Sequence, residues 1–272
     1  MRKHLKSKLK YIVGSLLFLY VIFGGLLYVF QENMLFLPTT LDKDHQFSFE
    51  YPFEELFFET EQGGLINAIH FKVENTETRK GVILYFHGNA NNLTRWGNIA
   101  EYFVEKQYDV LIIDYRTYGK SKGVLNEDVF YSDAQYCYTY LKKQYNESEI
   151  TLYGRSLGTG IAAFLASKNT PKQLLLESPY YSIADIAKNR FPVYPINLLL
   201  KYKFPTNKIL PDVDCPVTIF HGTEDLVVPY SSGKKLYKLG LDNVELISID
   251  GGGHNNLIEF EAYHMGIDEI LN

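Results

Sequence analysis

The chain has 272 residues, 46% of them hydrophobic and 22% charged, which excludes a disordered or low-complexity protein and is enough for one domain with a full core. Residues 1–10 hold five basic side chains (Arg2, Lys3, Lys6, Lys8, Lys10) and no acid. Taking those five from 27 leaves 22 basic against 32 acidic groups, a net charge of −10 for the remainder. So acidic a body excludes a nucleic acid held by its phosphates and excludes electrostatic docking of that body on anionic lipid.

After the basic tail at 1–10, residues 11–30 (YIVGSLLFLYVIFGGLLYVF) carry no charge. At about 1.5 Å per residue this run spans roughly 30 Å, the hydrocarbon thickness of a bilayer. No small-x-small cleavage site follows at Val29-Phe30-Gln31-Glu32-Asn33, so an uncleaved transmembrane helix is expected rather than a removed signal peptide. The basic flank precedes the span, which predicts a single-pass protein with a cytoplasmic N-terminus and its folded body on the non-cytoplasmic side. Residues 31–55 form a membrane-proximal segment with Phe36, Phe47, Phe49, Tyr51 and Phe53, which either cover the edge of the domain or sit near the headgroups, core cover being the plainer reading.

The domain proper is expected over 56–272. Residues 56–60 and 65–73 read as a hairpin around Gln62-Gly63-Gly64. Short apolar runs at 82–86, 110–113, 150–153, 174–176, 217–220 and 244–249 read as strands buried on both faces. Helical patterns at 93–106, 127–144, 159–168, 231–239 and 255–267 separate most of them. This alternation predicts an α/β fold: a mostly parallel central sheet with helices on both faces and active groups at the C-terminal strand ends. Residues 179–211, broken by Pro192, Pro195 and Pro205, are either a short cap over the site or a surface helix with its loops.

Gly154-Arg155-Ser156-Leu157-Gly158 sits between a strand-like and a helix-like run. A tight strand-to-helix turn needs small flanking residues and pushes the serine at its apex out of the sheet edge, the geometry of a nucleophile elbow. A serine hydroxyl needs a base, and the base needs an orienting carboxylate. Of seven histidines, His4 lies in the tail, His45 before the domain, His70 in a strand and His264 on a helix. His87 and His221 end strands but are followed at once by glycine and are expected to shape those turns. His254, carried over the edge by Gly251-Gly252-Gly253, is the expected base. Asp225 is the expected acid, over Glu224, Asp250 and Glu177, because it falls between serine and histidine in the order Ser…Asp…His. The backbone N–H groups of Leu157, after the serine, and Asn89, in His87-Gly88-Asn89-Ala90, are the expected oxyanion donors. The histidines and cysteines show no metal-ligand spacing, and Cys137 and Cys215 read as buried or spare thiols.

These residues resemble the α/β-hydrolase superfamily, and within it small membrane-anchored α/β-hydrolase-domain proteins. The resemblance rests on Phe86-His87-Gly88-Asn89-Ala90, on Asp114-Tyr115-Arg116-Thr117-Tyr118-Gly119-Lys120-Ser121, on the run around Ser156, on His221 to Pro229 with Asp225, and on Gly253-His254-Asn255. It covers about residues 56–272. It implies the α/β-hydrolase fold, Ser156, Asp225 and His254 as a catalytic triad, Asn89 and Leu157 as oxyanion donors, and no cofactor. Thr117 stands where such proteins often carry glycine, so a local backbone change is expected there. The implied activity is cleavage of acyl esters or thioesters through an acyl-enzyme. The partners are then a small acyl substrate, lipid-like in character, and the membrane, through residues 11–30. Two alternatives stay open: a serine aminopeptidase gripping an α-amine with Glu177 or Asp185, and a non-catalytic membrane-tethered binding module. The topology is checked by adding protease to intact cells or spheroplasts. Digestion of residues 31–272 is expected, and a shielded body reverses the orientation.

Overall fold

The computed structural model describes residues 2–272; Met1 and the side chains of Arg2, Lys3 and Leu5, in the basic tail, lie outside the described set. The uncharged run forms the middle of one helix, α1 (Arg2–Leu35). Its stretch Lys6–Leu35 is long and apolar enough to cross a membrane. Nearly all its apolar side chains face outward, Leu16 and Val21 each being 62% exposed, so the helix body buries little of itself on the domain.

Eight strands form one sheet: β1 (Phe53–Thr60), β2 (Gly64–Phe71), β3 (Gly81–Phe86), β4 (Tyr108–Ile113), β5 (Ile150–Arg155), β6 (Gln173–Glu177), β7 (Val217–Gly222) and β8 (Val244–Ile249). Their order across the sheet is β8-β7-β6-β5-β3-β4-β2-β1. The hairpin β1–β2 and its junction with β4 are antiparallel, and the other pairs are parallel. Every residue of β3, β4 and β5 is buried, which is why these strands read as continuous apolar runs rather than alternating ones. Alternate residues feed two cores. Val82, Leu84 and Phe86 point to the face covered by α3 (Glu127–Leu141) and α4 (Gly158–Ala166). Ile83 and Tyr85 point to the face covered by α2 (Leu93–Glu105) and α9 (Glu261–Leu271).

Between β6 and β7 the chain makes three short helices, α5 (Ile183–Arg190), α6 (Ile196–Leu199) and α7 (Thr206–Ile209), and α8 (Ser231–Tyr237) follows β7. Caps set the helix starts: the side chains of Asn92, Asn126 and Ser182 accept from the N–H groups of Thr94, Val129 and Asp185.

Two expectations need correction. The helical pattern over 255–267 does not begin there, because the Asn256 side chain accepts from the N–H of Gly253 at 2.8 Å and closes a turn. Helix α9 starts only at Glu261, which leaves His254 on an irregular loop. Thr117, where a local backbone change was expected, keeps a left-handed turn. It holds φ at 75°, the left-handed conformation a glycine would take, with its hydroxyl buried and unpartnered. A β-branched residue there is strained. Thr117→Gly is therefore expected to raise stability by about 1 kcal/mol despite glycine's greater freedom in the unfolded chain. Thermal unfolding in detergent reads this, and a lower melting temperature contradicts it.

Candidate active site

Four strand ends meet at one edge of the sheet. β5 ends in the turn that carries Ser156. The backbone there is left-handed (φ 49°), and the turn is stitched by Ser156 N–H to the Glu177 carbonyl (2.9 Å) and by both the N–H (3.0 Å) and the hydroxyl (2.6 Å) of Thr159 to the Ser156 carbonyl. Such strain persists only where the surroundings hold it. A Cβ at Gly158 would stand 2.0 Å from the Phe86 carbonyl oxygen, so only glycine lets the turn lie against the end of β3.

The loop after β8 brings His254 to this edge. Its Nε2 lies 2.9 Å from Ser156 Oγ, and its Nδ1 lies 2.7 Å from Asp225 Oδ2, in the loop after β7. Asp225 is buried, and its second oxygen accepts from the N–H groups of Val227 (2.9 Å) and Val228 (2.8 Å). With Nδ1–H given to the carboxylate, Nε2 is left as an acceptor facing the hydroxyl. That arrangement can take the serine proton. The other acids are engaged or turned away. Glu177 pairs with Arg155 (3.0 Å) and accepts from the phenols of Tyr153 and Tyr263. Asp250 is exposed and accepts from Thr223, and Glu224 is exposed.

The remaining histidines fall elsewhere. His87 closes on the Gly88 carbonyl (2.7 Å) and His221 on the Val228 carbonyl (2.9 Å), each shaping its own turn. His70 is buried in β2, where burial and then Lys72 push its pKa down to about 3. His264 on α9 bonds the Tyr102 phenol. His45 faces Thr94 at the surface, and His4 lies on α1. Cys137 and Cys215 are free and buried, and burial pushes the Cys215 thiol up to about 11.

Asn89 and Leu157 line the same cavity as Ser156 and His254. Among the described residues, neither backbone N–H has a protein acceptor. Two positioning residues escaped sequence reasoning: Tyr115 donates to the His87 carbonyl and Tyr118 to the Asn89 carbonyl, both at 2.7 Å. Two aromatic phenols in Asp114-Tyr115-Arg116-Thr117-Tyr118, one strand away from the loop, were the available signal. Arg116 of that run is structural, a buried fork on Asp133 at 2.8 and 2.9 Å.

The cavity measures about 470 Å³, within the usual range for small-molecule sites. Its walls are mostly apolar, with Leu157, Ile183, Ile186, Phe191, Ile196 and Leu199 prominent. The segment over 179–211 therefore lies across the site, and α1 also reaches it through Leu27, Gln31, Met34 and Leu35. Its charged lining residues are Arg95, Arg155 and Arg190, with no carboxylate among the described residues.

A family model described as serine aminopeptidase S33 matches residues 77–212, half of the chain. An uncharacterised protein, R595, of Acanthamoeba polyphaga mimivirus is 31% identical over 243 residues, covering 80% of each chain. Lysophosphatidylserine lipase ABHD12 of Danio rerio is 32% identical over 191 residues, 61% of this chain and 48% of that protein; the chain thus spans about half the length of that relative. Among solved structures, the Pyrococcus furiosus esterase Pf2001 superposes with a TM-score of 0.67 at 18% identity, over 87% of this chain and 96% of its own.

Burial pushes the Asp225 carboxyl up, but the His221 imidazole 3.5 Å away and the hydrogen bonds from His254 and the Val228 N–H outweigh it and hold the group well below the usual carboxylate range. The folded value lies below the unfolded value of about 3.9. The carboxylate's contribution to stability is therefore fully present above about pH 4 and is lost as pH falls through the folded value. Asp225→Asn is expected to melt below the wild type at pH 7, with the gap narrowing below about pH 4. A gap independent of pH contradicts this.

Proposed function

The chain belongs to the α/β-hydrolase superfamily, and from that premise we propose that it is a membrane-tethered serine hydrolase that cleaves long-chain acyl esters. The observation that carries the reading is the unbroken line from Ser156 Oγ through His254 to the buried Asp225, at 2.9 and 2.7 Å, opening on an apolar cavity. Ser156 Oγ attacks the acyl carbonyl while His254 Nε2 takes its proton. Asp225 holds the imidazole tautomer and balances the imidazolium charge. The N–H groups of Asn89 and Leu157 receive the oxyanion, each such donor contributing about 3 kcal/mol to the transition state. Collapse of the intermediate expels the leaving group, which takes the proton from His254. Water, deprotonated by His254, then attacks the acyl-enzyme, and the acid leaves with Ser156 restored. A thioester serves the same sequence of steps.

The cavity wall favours an acyl chain, and the exposed Arg95 and Arg190 at its rim favour a negatively charged head. Lysophosphatidylserine, the lipid in the name of the ABHD12 relative, has this chemistry. The peptidase alternative fits less well. An α-ammonium needs a free carboxylate, yet Glu177 is held by Arg155 and Asp185 by Lys235 at 2.8 Å. In this reading the tether is α1, with the N-terminus cytoplasmic and the hydrolase domain on the other side, an orientation that the basic flank supports.

Full-length protein in detergent is expected to react with a fluorophosphonate probe, and Ser156→Ala to abolish labelling without loss of folding. It is also expected to hydrolyse p-nitrophenyl esters in preference to aminoacyl p-nitroanilides. Folded protein that takes no label supports a non-catalytic binding module instead, and faster anilide cleavage supports a peptidase.

A further inference from the structure

The segment over 191–200 reads Phe-Pro-Val-Tyr-Pro-Ile-Asn-Leu-Leu-Leu, ten uncharged residues bracketed by Arg190 and Lys201. Only its second half meets the domain, where Ile196 is buried and Leu200 packs against the core. The segment lies along α1, inside the run that is apolar enough to cross a membrane. The rings of Tyr20 and Tyr194 stack at 4.5 Å and 5°. Phe23 meets both Phe191 and Tyr194. Gly24 makes room for this contact, since a Cβ there would stand 3.3 Å from the Tyr194 ring. Val193 and Leu198 point away from both elements, 71% and 81% exposed.

Depth follows from helix geometry. Glu32 is the first charge after the apolar run, and Lys201 lies beside it, 3.9 Å away and over the Tyr28 ring. That pair marks the headgroup level. Tyr20 is twelve residues further down the helix, about 18 Å at 1.5 Å per residue, or more than half of a hydrocarbon core of roughly 30 Å. Tyr194 reaches the same depth because it stacks on Tyr20.

Non-helical backbone survives at such depth only if its polar groups are satisfied. Here α1 supplies the partners. The Tyr20 phenol donates to the Val193 carbonyl (2.8 Å). The buried Gln31 amide donates to the Leu199 carbonyl (3.0 Å) and accepts from the Lys201 N–H (2.8 Å). Pro192 and Pro195 have no N–H to satisfy. Tyr194, Ile196, Leu198 and Leu200 donate within the segment, and the Val193 N–H and the exposed Asn197 amide have no protein partner among the described residues.

We propose that residues 191–200 are immersed in the leaflet next to the domain, and that α1 and this segment together form the passage by which an acyl chain moves from the bilayer to Ser156. The cavity wall runs from Ser156 to Leu27, which lies within the apolar run, and is completed by Phe191, Ile196 and Leu199. The occupant of the exposed faces of Val193 and Leu198 is lipid hydrocarbon, because they continue the exposed apolar surface of α1 at the same depth. Arg190 and Lys201 extend their charges toward the headgroups. The passage deepens the hydrolase reading and rests on it for its purpose, but the immersion does not.

The test uses the full chain in proteoliposomes. Val193→Cys and Leu198→Cys, in a protein whose native thiols are buried, carry an environment-sensitive fluorophore. Lipids brominated in their acyl chains are expected to quench it and aqueous iodide to leave it untouched. Iodide quenching without bromolipid quenching overturns the proposal, and would leave the face to a protein partner. A second arm pairs Val193→Asp with Leu198→Asp, neither of which lines the cavity. Turnover of a long-chain lysophospholipid in vesicles is expected to fall about tenfold or more, with kcat and KM for soluble p-nitrophenyl butyrate unchanged. Unchanged vesicle turnover overturns the passage. Wild-type protein inert toward both the lysophospholipid and the butyrate ester overturns the hydrolase reading, while the quenching still reports depth.

Discussion

The turn between β5 and α4 lies so close to the end of β3 that a methyl group at position 158 would stand 2.0 Å from a backbone oxygen, and one at position 154 would stand 2.6 Å from the Gly158 carbonyl. The contact forces Ser156 into its left-handed backbone and sets Leu157 beside the loop that holds Asn89. Helix α4 is shaped for the same purpose. Gly160 costs about 1 kcal/mol of helix propensity relative to alanine, but a Cβ there would stand 2.2 Å from the Tyr180 hydroxyl. That hydroxyl donates to the Leu157 carbonyl and fixes the peptide after the proposed nucleophile. Local propensity is given up where a neighbouring group must lie against the helix backbone.

The opposite side of the proposed oxyanion loop is held by the chain just leaving α1. Leu37 and Pro38 pair in parallel with Ala90 and Asn91, and the Leu37 N–H donates to the Asn89 side chain at 3.2 Å. Phe36 is buried between Phe130 and Tyr202, so this exit is locked into the core. The helix is thus tied to the domain in two places: at the segment over 191–201, through Tyr20 and Gln31, and at the oxyanion loop. A flexible tether would leave the domain free to tumble above the lipid. These contacts fix the orientation of the cavity relative to the helix axis, and so fix what the cavity faces.

Much of the sheet edge was legible in the amino-acid order because its constraints are local. Gly154 and Gly158 announce a close approach, and Ser156, Asp225 and His254 each follow a strand. The choice of Asp225 over Glu224 and Asp250 was legible only from chain order; in the structure, burial and two backbone donors separate it from both neighbours. The packing of residues 20–31 on 191–201 was not legible, because no periodicity links segments about 170 positions apart. Both stretches read as apolar by themselves, and only their contact shows that one lines the other. The false helix start at 255 has a similar cause. Asn255 and Asn256 fit a helix by pattern, and a single side-chain hydrogen bond to Gly253 decided otherwise.

Charge gives an independent reason for the lipid-facing route. The body beyond the tail carries a net −10, and an anionic lipid approaching through water would meet that field first. Screening over about 8 Å weakens the field but does not reverse its sign. A substrate moving in the plane of the membrane meets a different boundary. Arg190 and Lys201 bracket the immersed segment, and Arg95 stands further along the cavity wall. Arg155, the fourth cation near this path, is neutralised by Glu177 and holds the His254 carbonyl at 3.4 Å, so it serves the site's geometry rather than the substrate's head. The hydrophobic path and the placement of Arg190 and Arg95 therefore select the same direction of approach, although the net charge of the chain alone would argue against any anionic ligand.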